Sequence, residues 1–154
     1  PEPFYPNYRT FVTAAGGKIV PIPTTVEEGY RYAHGVNDLL KACQVYQYTD
    51  DRYSEVYDLT KQDAKDPYDI FLSGPQSLLR IENPNAKTDK ELIIFRDSFG
   101  SSVTPLLVQD YKTVTLVDIR YMDSRMLGNF LEFNGQDVLF LYSTLVLNSG
   151  TTLK

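Results

Sequence analysis

The sequence predicts an α/β fold built on a mainly parallel sheet, and three observations carry that prediction. Three short, nearly continuous apolar runs, Leu92–Phe95, Val114–Ile119 and Val138–Tyr142, read as strands buried on both faces. Two amphipathic segments separate them. Ser101–Tyr111 carries Val103, Leu106, Leu107 and Tyr111 on one face, and Ser124–Phe133 carries Leu127, Phe130 and Leu131. Strand, helix, strand, helix, strand in that order implies right-handed crossovers between parallel strands. Pro105 falls early in its helix, where it costs little.

The remaining elements follow from local signals. Phe11-Val12 fits a short helix stopped at Gly16-Gly17, and Lys18–Ile22 a short strand. Thr24 with Glu27, and Thr25 with Glu28, form overlapping capping boxes. They predict a helix from about Val26 to Val45, with Tyr32, Val36, Leu39, Leu40 and Cys43 at helical spacing. Gly29 and Gly35 weaken it by about 1 kcal/mol each against alanine, so a break near His34-Gly35 is expected. Glu55–Leu59 and Ser77–Glu82 read as strands, and Tyr68–Leu72 as a short apolar segment after the Asp66-Pro67 boundary. Asn83–Lys90 reads as a turn-rich loop, and Asn148–Lys154 as a loop or frayed end.

Composition bounds the function. A chain of 154 residues, 42% hydrophobic and 23% charged, is expected to form one domain with a real core. A net charge of −5 argues against binding nucleic-acid phosphates, which needs a basic stripe. The single cysteine, Cys43, rules out an intrachain disulfide or a CxxC metal site and reads as a buried small hydrophobe. No run approaches the ~18 apolar residues of a membrane span. Twelve Tyr and eight Phe read as core packing plus partly exposed tyrosines. The start, Pro1-Glu2-Pro3, lacks a methionine and reads as that of a fragment or processed product.

The residues that could carry chemistry gather where the parallel strands end. In open parallel sheets ligands bind beyond the carboxyl ends of strands. Asp97, Ser98, Asp118, Arg120, Ser143 and Thr144 all fall at such ends. Ser98 is the best candidate nucleophile, and the N–H groups of Ser98, Phe99 and Gly100 could form an oxyanion or anion site. The plainer reading is that Asp97 and Ser98 only cap the following helix, since both are preferred there. A serine needs a base. Asp97 is expected to point away from Ser98. His34, the sole imidazole, reads first as a surface or capping residue. Asp50-Asp51 and Asp118 with Asp123 lack ligand spacing, so they read as solvated acids, and no metal or cofactor is expected. Arg96, Arg120 and Arg125 flank the same edge and are read first as pairing with Asp97, Asp118 or Asp123, with binding of an anionic substrate as the alternative.

From about residue 50 to 154 the chain resembles the DHHW family, of the broad SGNH-hydrolase-like group. The matching text is SEVYDL, KDPYDIFLSGPQSLLRIEN, ELIIFRDSFGSSVTPLLVQDYKTVTLVDIRY and DVLFLYSTLVL. The resemblance implies a three-layer α/β/α flavodoxin-like fold with Ser98 at the nucleophile position. It also implies acyl-ester chemistry, including acetyl groups on carbohydrates outside the cytoplasm. Arg96 stands where many SGNH enzymes have a glycine, and the Asp-His-His-Trp run and a C-terminal Asp-x-x-His are absent. The expectation is an incomplete domain of esterase ancestry, inactive as this chain. The alternatives are a non-catalytic or chimeric scaffold, a dimerising structural domain, and a small-anion or sugar-binding module using Ser98, Ser101, Ser102 and Arg120. Residues 1–33 resemble a segment of fold-type I pyridoxal-phosphate-dependent aminotransferases, without the Schiff-base lysine or the Asn and Asp that hold the cofactor ring. This suggests a fusion joined near residues 33–34, within a single α/β domain of residues 1–154. An open sheet edge is expected to favour a homodimer.

Overall fold

The structure is a computed structural model describing residues 12–14, 16, 36–61 and 63–149. The chain divides into two compact units, Pro1–Asp38 and Leu39–Lys154. In the first, residues 12–14 form a helical turn. Gly16 closes it, donating its N–H to the Thr13 carbonyl at 3.0 Å and taking a left-handed backbone with φ of 77°. The capping boxes at Thr24 and Thr25, the strand expected at Lys18–Ile22, His34 and nearly all of the aminotransferase-like segment lie outside the described residues.

Helix α1 covers Val36–Ala42. Strands β1 (Gln44–Gln47), β2 (Arg52–Ser54) and β3 (Leu78–Glu82) precede β4 (Glu91–Arg96). Helix α2 (Phe99–Leu107) leads to β5 (Thr113–Val117), and β6 (Asp137–Leu141) to helix α3 (Thr144–Asn148). The six strands form one open sheet in the order β2-β1-β3-β5-β4-β6.

The parallel half matches the apolar runs: β4 pairs parallel with β5 on one side and with β6 on the other. The expectation of a mainly parallel sheet is corrected, because β1 with β2, β1 with β3, and β3 with β5 are all antiparallel. β1 begins within the stretch where the helix is expected to continue to Val45. Its four residues alternate in burial, a signal too short to outweigh the helical spacing that reaches Cys43. Its Gln47 is fully buried. There its amide donates to Ser54 Oγ at 2.7 Å and accepts from Arg52 Nε at 3.0 Å, knitting β1 to β2. The strand expected at Glu55–Leu59 is displaced to β2, leaving an isolated bridge between Tyr57 and Phe71.

The two crossovers also differ in kind. The first is helical through Leu107 and tightens to a 3-10 turn at Val108–Asp110. The second is not an α-helix but a 3-10 segment, Ser124–Asn129, started by Asp123, whose carboxylate accepts from Arg125 N–H at 2.9 Å. Successive strand residues face opposite ways. Phe95 therefore joins Leu78, Ile93, Val117 and Leu127 in a core on the 3-10 side, backed by half-buried Tyr48, Ile119, Met122, Leu131 and Tyr142. Arg96 faces the other way, towards α2. The tail expected as a loop from Asn148 is helical up to that residue, capped by Ser143, whose hydroxyl accepts from Val146 N–H. Among the described residues no helix is long and apolar enough to cross a membrane.

Candidate functional site

The chain leaves β4, crosses to β5 on one side, then returns past β4 to β6 on the other. The carboxyl end of β4 is thus the point where successive connections diverge, the usual crevice of an open α/β sheet. The structure brings Asp97, Ser98, Asp118, Arg120 and Ser143 to this edge.

Asp97 is the organiser. Its side chain is 1% exposed and spans two helix starts: one oxygen accepts from Phe99 N–H at 2.9 Å, the other from Ser143 N–H at 2.7 Å. Burial pushes this carboxyl upward. The Ser143 N–H and side chain, the Phe99 N–H and nearby Arg120 outweigh it and hold the group below its ordinary range. A carboxylate at the first turn of α2 also meets the positive end of the helix dipole. The capping reading therefore holds for Asp97. Ser98 itself makes no side-chain cap bond, and it is exposed.

The Phe99 N–H is engaged by the Asp97 carboxylate, and the Gly100 N–H by the Asp97 carbonyl at 3.0 Å. Both are thus occupied as the structure stands. Ser98's carbonyl accepts from Ser101 N–H at 3.1 Å and from the Tyr68 hydroxyl at 2.8 Å. That hydroxyl also lies 2.9 Å from Ser102 Oγ. Tyr68 comes from the 3-10 turn Pro67–Ile70, whose Asp66 caps it by accepting from Tyr68 N–H. Sequence reasoning missed this clamp; Asp66-Pro67 marks the turn, but nothing in the sequence says what Tyr68 reaches.

The same strand ends hold a buried ionic group. Asp118 is fully buried and receives Arg120 in a two-pronged pair, 2.9 Å from Nε and 2.6 Å from Nη2, plus the Arg120 N–H at 3.1 Å. Arg120 is held above its ordinary range chiefly by that pairing. Arg96, 1% exposed, stands 3.7 Å from Asp118 without a formal hydrogen bond to it. Its Nη1 donates to Ser101 Oγ at 3.1 Å and to the Asp97 carbonyl at 3.4 Å, and its Nη2 to the Gln76 carbonyl at 3.3 Å. Burial lowers its pKa, with Asp118 opposing. The expected pairing of arginines with local acids holds for Arg96, Arg120 and Arg125, the last with Asp123 at 2.5 Å. Tyr142 completes the edge; burial, then Asp118 and Asp97, push its phenol up to about 12.

Gly100 has a steric reason. A Cβ there would lie 2.5 Å from Arg96 Cβ and 2.9 Å from its Cγ, so the long stem of Arg96 and the missing side chain at 100 fit each other. Chemically, the edge presents the exposed Ser98 hydroxyl at the start of α2, and the Arg96 guanidinium is buried at the end of the same strand. Neither Asp97 nor Asp118 hydrogen-bonds that hydroxyl, and His34 lies outside the described residues.

No protein-family model matches the sequence, and no curated protein matches it. Solved structures do resemble it. A DHHW family protein from Eubacterium siraeum DSM 15702 is 27% identical over 66% of this chain and 34% of its own, with a TM-score of 0.48. Bacillus cereus PatB1 aligns at 21% identity over 81% of this chain and 40% of its own, TM-score 0.54. Its form with a sulfonyl adduct aligns at 19% over 74% and 40%, TM-score 0.52. The PatB1 likenesses show a shared fold. The chain spans 34% to 40% of the length of these proteins. None of the three supports the aminotransferase resemblance of residues 1–33.

Proposed function

We propose that residues 34–154 are an SGNH-hydrolase-like, flavodoxin-like domain of acyl-esterase ancestry, with Ser98 at the nucleophile position. One observation carries the reading: an exposed serine at the carboxyl end of the central parallel strand, where the connections diverge and α2 begins. In this reading Ser98 Oγ attacks an acyl carbonyl, and the positive end of the α2 dipole stabilises the negative charge that develops. The substrate class is an acyl ester, with carbohydrate O-acetyl groups outside the cytoplasm as the expected case. Residues 1–33 have a separate origin.

A base is the missing part. Asp97 is committed to two N–H groups, and Asp118 to Arg120. The chain alone should therefore react slowly. Intact mass after exposure to a fluorophosphonate, with and without added imidazole, tests this. Ser98 Oγ would displace fluoride from phosphorus while imidazole takes the proton. The expected result is one adduct per chain, formed faster as imidazole rises and absent in Ser98→Ala. No adduct under either condition favours the second reading, a non-catalytic scaffold. The engaged N–H groups of Phe99 and Gly100 are the observation that supports that alternative.

A further inference from the structure

One hydrogen bond from outside α2 reaches Ser98. Among the described residues Ser98 is hydrogen-bonded through its carbonyl alone, to Ser101 N–H and to the Tyr68 hydroxyl. The Ser101 bond lies within the α2 turn and moves with it. The Tyr68 bond, at 2.8 Å, ties that turn to a distant segment. A second restraint acts on the same planar amide: at its other end the Phe99 N–H donates to the Asp97 carboxylate at 2.9 Å. The amide cannot rotate without breaking both bonds. One hydroxyl has one proton to give, so with Tyr68 donating to the carbonyl, Ser102 is the donor in the 2.9 Å contact between the two hydroxyls. Tyr68 thus spans the first turn of α2.

The segment that presents Tyr68 is fixed at both ends and strained in between. It opens with Asp66, which caps the turn by accepting from Tyr68 N–H at 3.0 Å. The Tyr68 ring packs on Phe71 at 5.1 Å, and Phe71 on Tyr57 at 5.7 Å. Leu72, Ser73 and Gly74 then take left-handed backbone in succession, with φ of 55°, 60° and 85°. For leucine and serine this conformation is strained, and it persists only where the surroundings impose it. Here they do. Leu72 is fully buried and donates its N–H to the Val56 carbonyl at 3.0 Å, while the Ser73 hydroxyl donates to Asp58 at 2.8 Å. The segment then rejoins the strand ends: the Gln76 carbonyl accepts from Arg96 Nη2, and the Ser77 carbonyl from Asp118 N–H at 2.9 Å. Backbone strain of this kind gathers at functional sites.

We propose that residues 66–74 form a strap that positions Ser98, with the Tyr68 hydroxyl as its point of contact. The inference rests on the acyl-transfer reading of Ser98. A nucleophile must stand within a narrow range of the carbonyl it attacks, and a small displacement costs rate. The Ser98 hydroxyl makes no cap bond of its own, so its place is set by its main chain, and Tyr68 is what ties that main chain to the rest of the fold. Tyr68 touches no reacting atom in this scheme; it is a positioning residue.

Labelling of the full chain by a fluorophosphonate at fixed imidazole, followed by intact mass, tests this in Tyr68→Phe and Asp66→Ala. The first keeps the ring and removes only the hydroxyl. The second uncaps the turn that carries Tyr68. Both are read well below their unfolding temperatures, where lost stability alone leaves the rate of the folded chain unchanged. The expected result is adduct formation about five-fold slower in Tyr68→Phe, the factor carried by one net hydrogen bond, and slowed in the same direction in Asp66→Ala. NMR relaxation supplies a readout that needs no reaction: the backbone order parameter of Ser98 should fall in both variants from the rigid range of about 0.85. A wild-type chain that forms no adduct sinks the acyl-transfer reading, and the order parameter then decides the strap by itself. Equal labelling rates in Tyr68→Phe and wild type, or an unchanged order parameter at Ser98 in Tyr68→Phe, would overturn the proposal. If Tyr68→Phe does not fold, the same two readings on Asp66→Ala decide.

Discussion

Replacing Asp97 by Asn would test whether this one carboxylate ties the two helix starts together. The wild-type side chain is nearly fully buried and accepts Phe99 N–H at 2.9 Å through one oxygen and Ser143 N–H at 2.7 Å through the other. Asparagine keeps one acceptor and turns an NH2 group towards the other donor. A hydrogen bond to a charged group is worth about 1.5–3 kcal/mol, and a stranded buried N–H costs about 1–3 kcal/mol, so the variant should lose about 2–4 kcal/mol. For a chain of this size that lowers Tm by roughly 5–15 °C. The pH dependence fixes the cause. The folded-state pKa of Asp97 lies below the ordinary value, which is about 3.9 unfolded. Its stabilisation is therefore full above about pH 4 and is lost as pH falls through the folded pKa. The gap between wild type and variant, read by urea unfolding, should be full at neutral pH and shrink below about pH 4. A gap under about 0.5 kcal/mol, or one constant from neutral to acid pH, would refute the clamp.

Two further outcomes follow from the same edge. Gly100→Ala puts a methyl 2.5 Å from Arg96 Cβ. Overpacking of about 2–3 kcal/mol, the upper part of the usual range for so close a contact, against a helix-propensity gain of about 1 kcal/mol should leave it about 1–2 kcal/mol less stable by denaturant titration, and an unchanged midpoint would refute the fit. Tyr68→Phe removes the hydroxyl that holds the Ser98 carbonyl, which should cost about 1 kcal/mol and speed amide exchange at Ser101, whose N–H shares that carbonyl. Unchanged exchange at Ser101 would show that Tyr68 does not restrain the α2 start.

The legible half of the fold is the half where one physical demand dominates. β4 and β5 are buried along nearly their whole length, so Leu92–Phe95 and Val114–Ile119 show as apolar runs whatever surrounds them. β1 and β2 answer to pairing instead. Gln47 is buried because Ser54 and Arg52 satisfy its amide, a partnership made only once the hairpin has formed. The site divides the same way. Its location follows from where parallel strands end, so Asp97, Ser98, Asp118, Arg120 and Ser143 could be named together. Its wiring does not: Asp97 joins Ser143 across 46 positions, and Tyr68 reaches Ser98 across 30. The Arg96 and Gly100 pair lies between these cases. A glycine four residues after a long side chain at a strand-to-helix turn is visible in the sequence, but its meaning needs the close approach of the two in the fold. Arg96 occupies the side of the strand where α2 must come close, and only a residue without Cβ lets the helix do so. The bulk of Arg96 is thus compensated within one helical turn. That compensation ties the position of Ser98 to a buried cation rather than to a flexible backbone, so loosening Arg96 or crowding Gly100 should disturb the same turn.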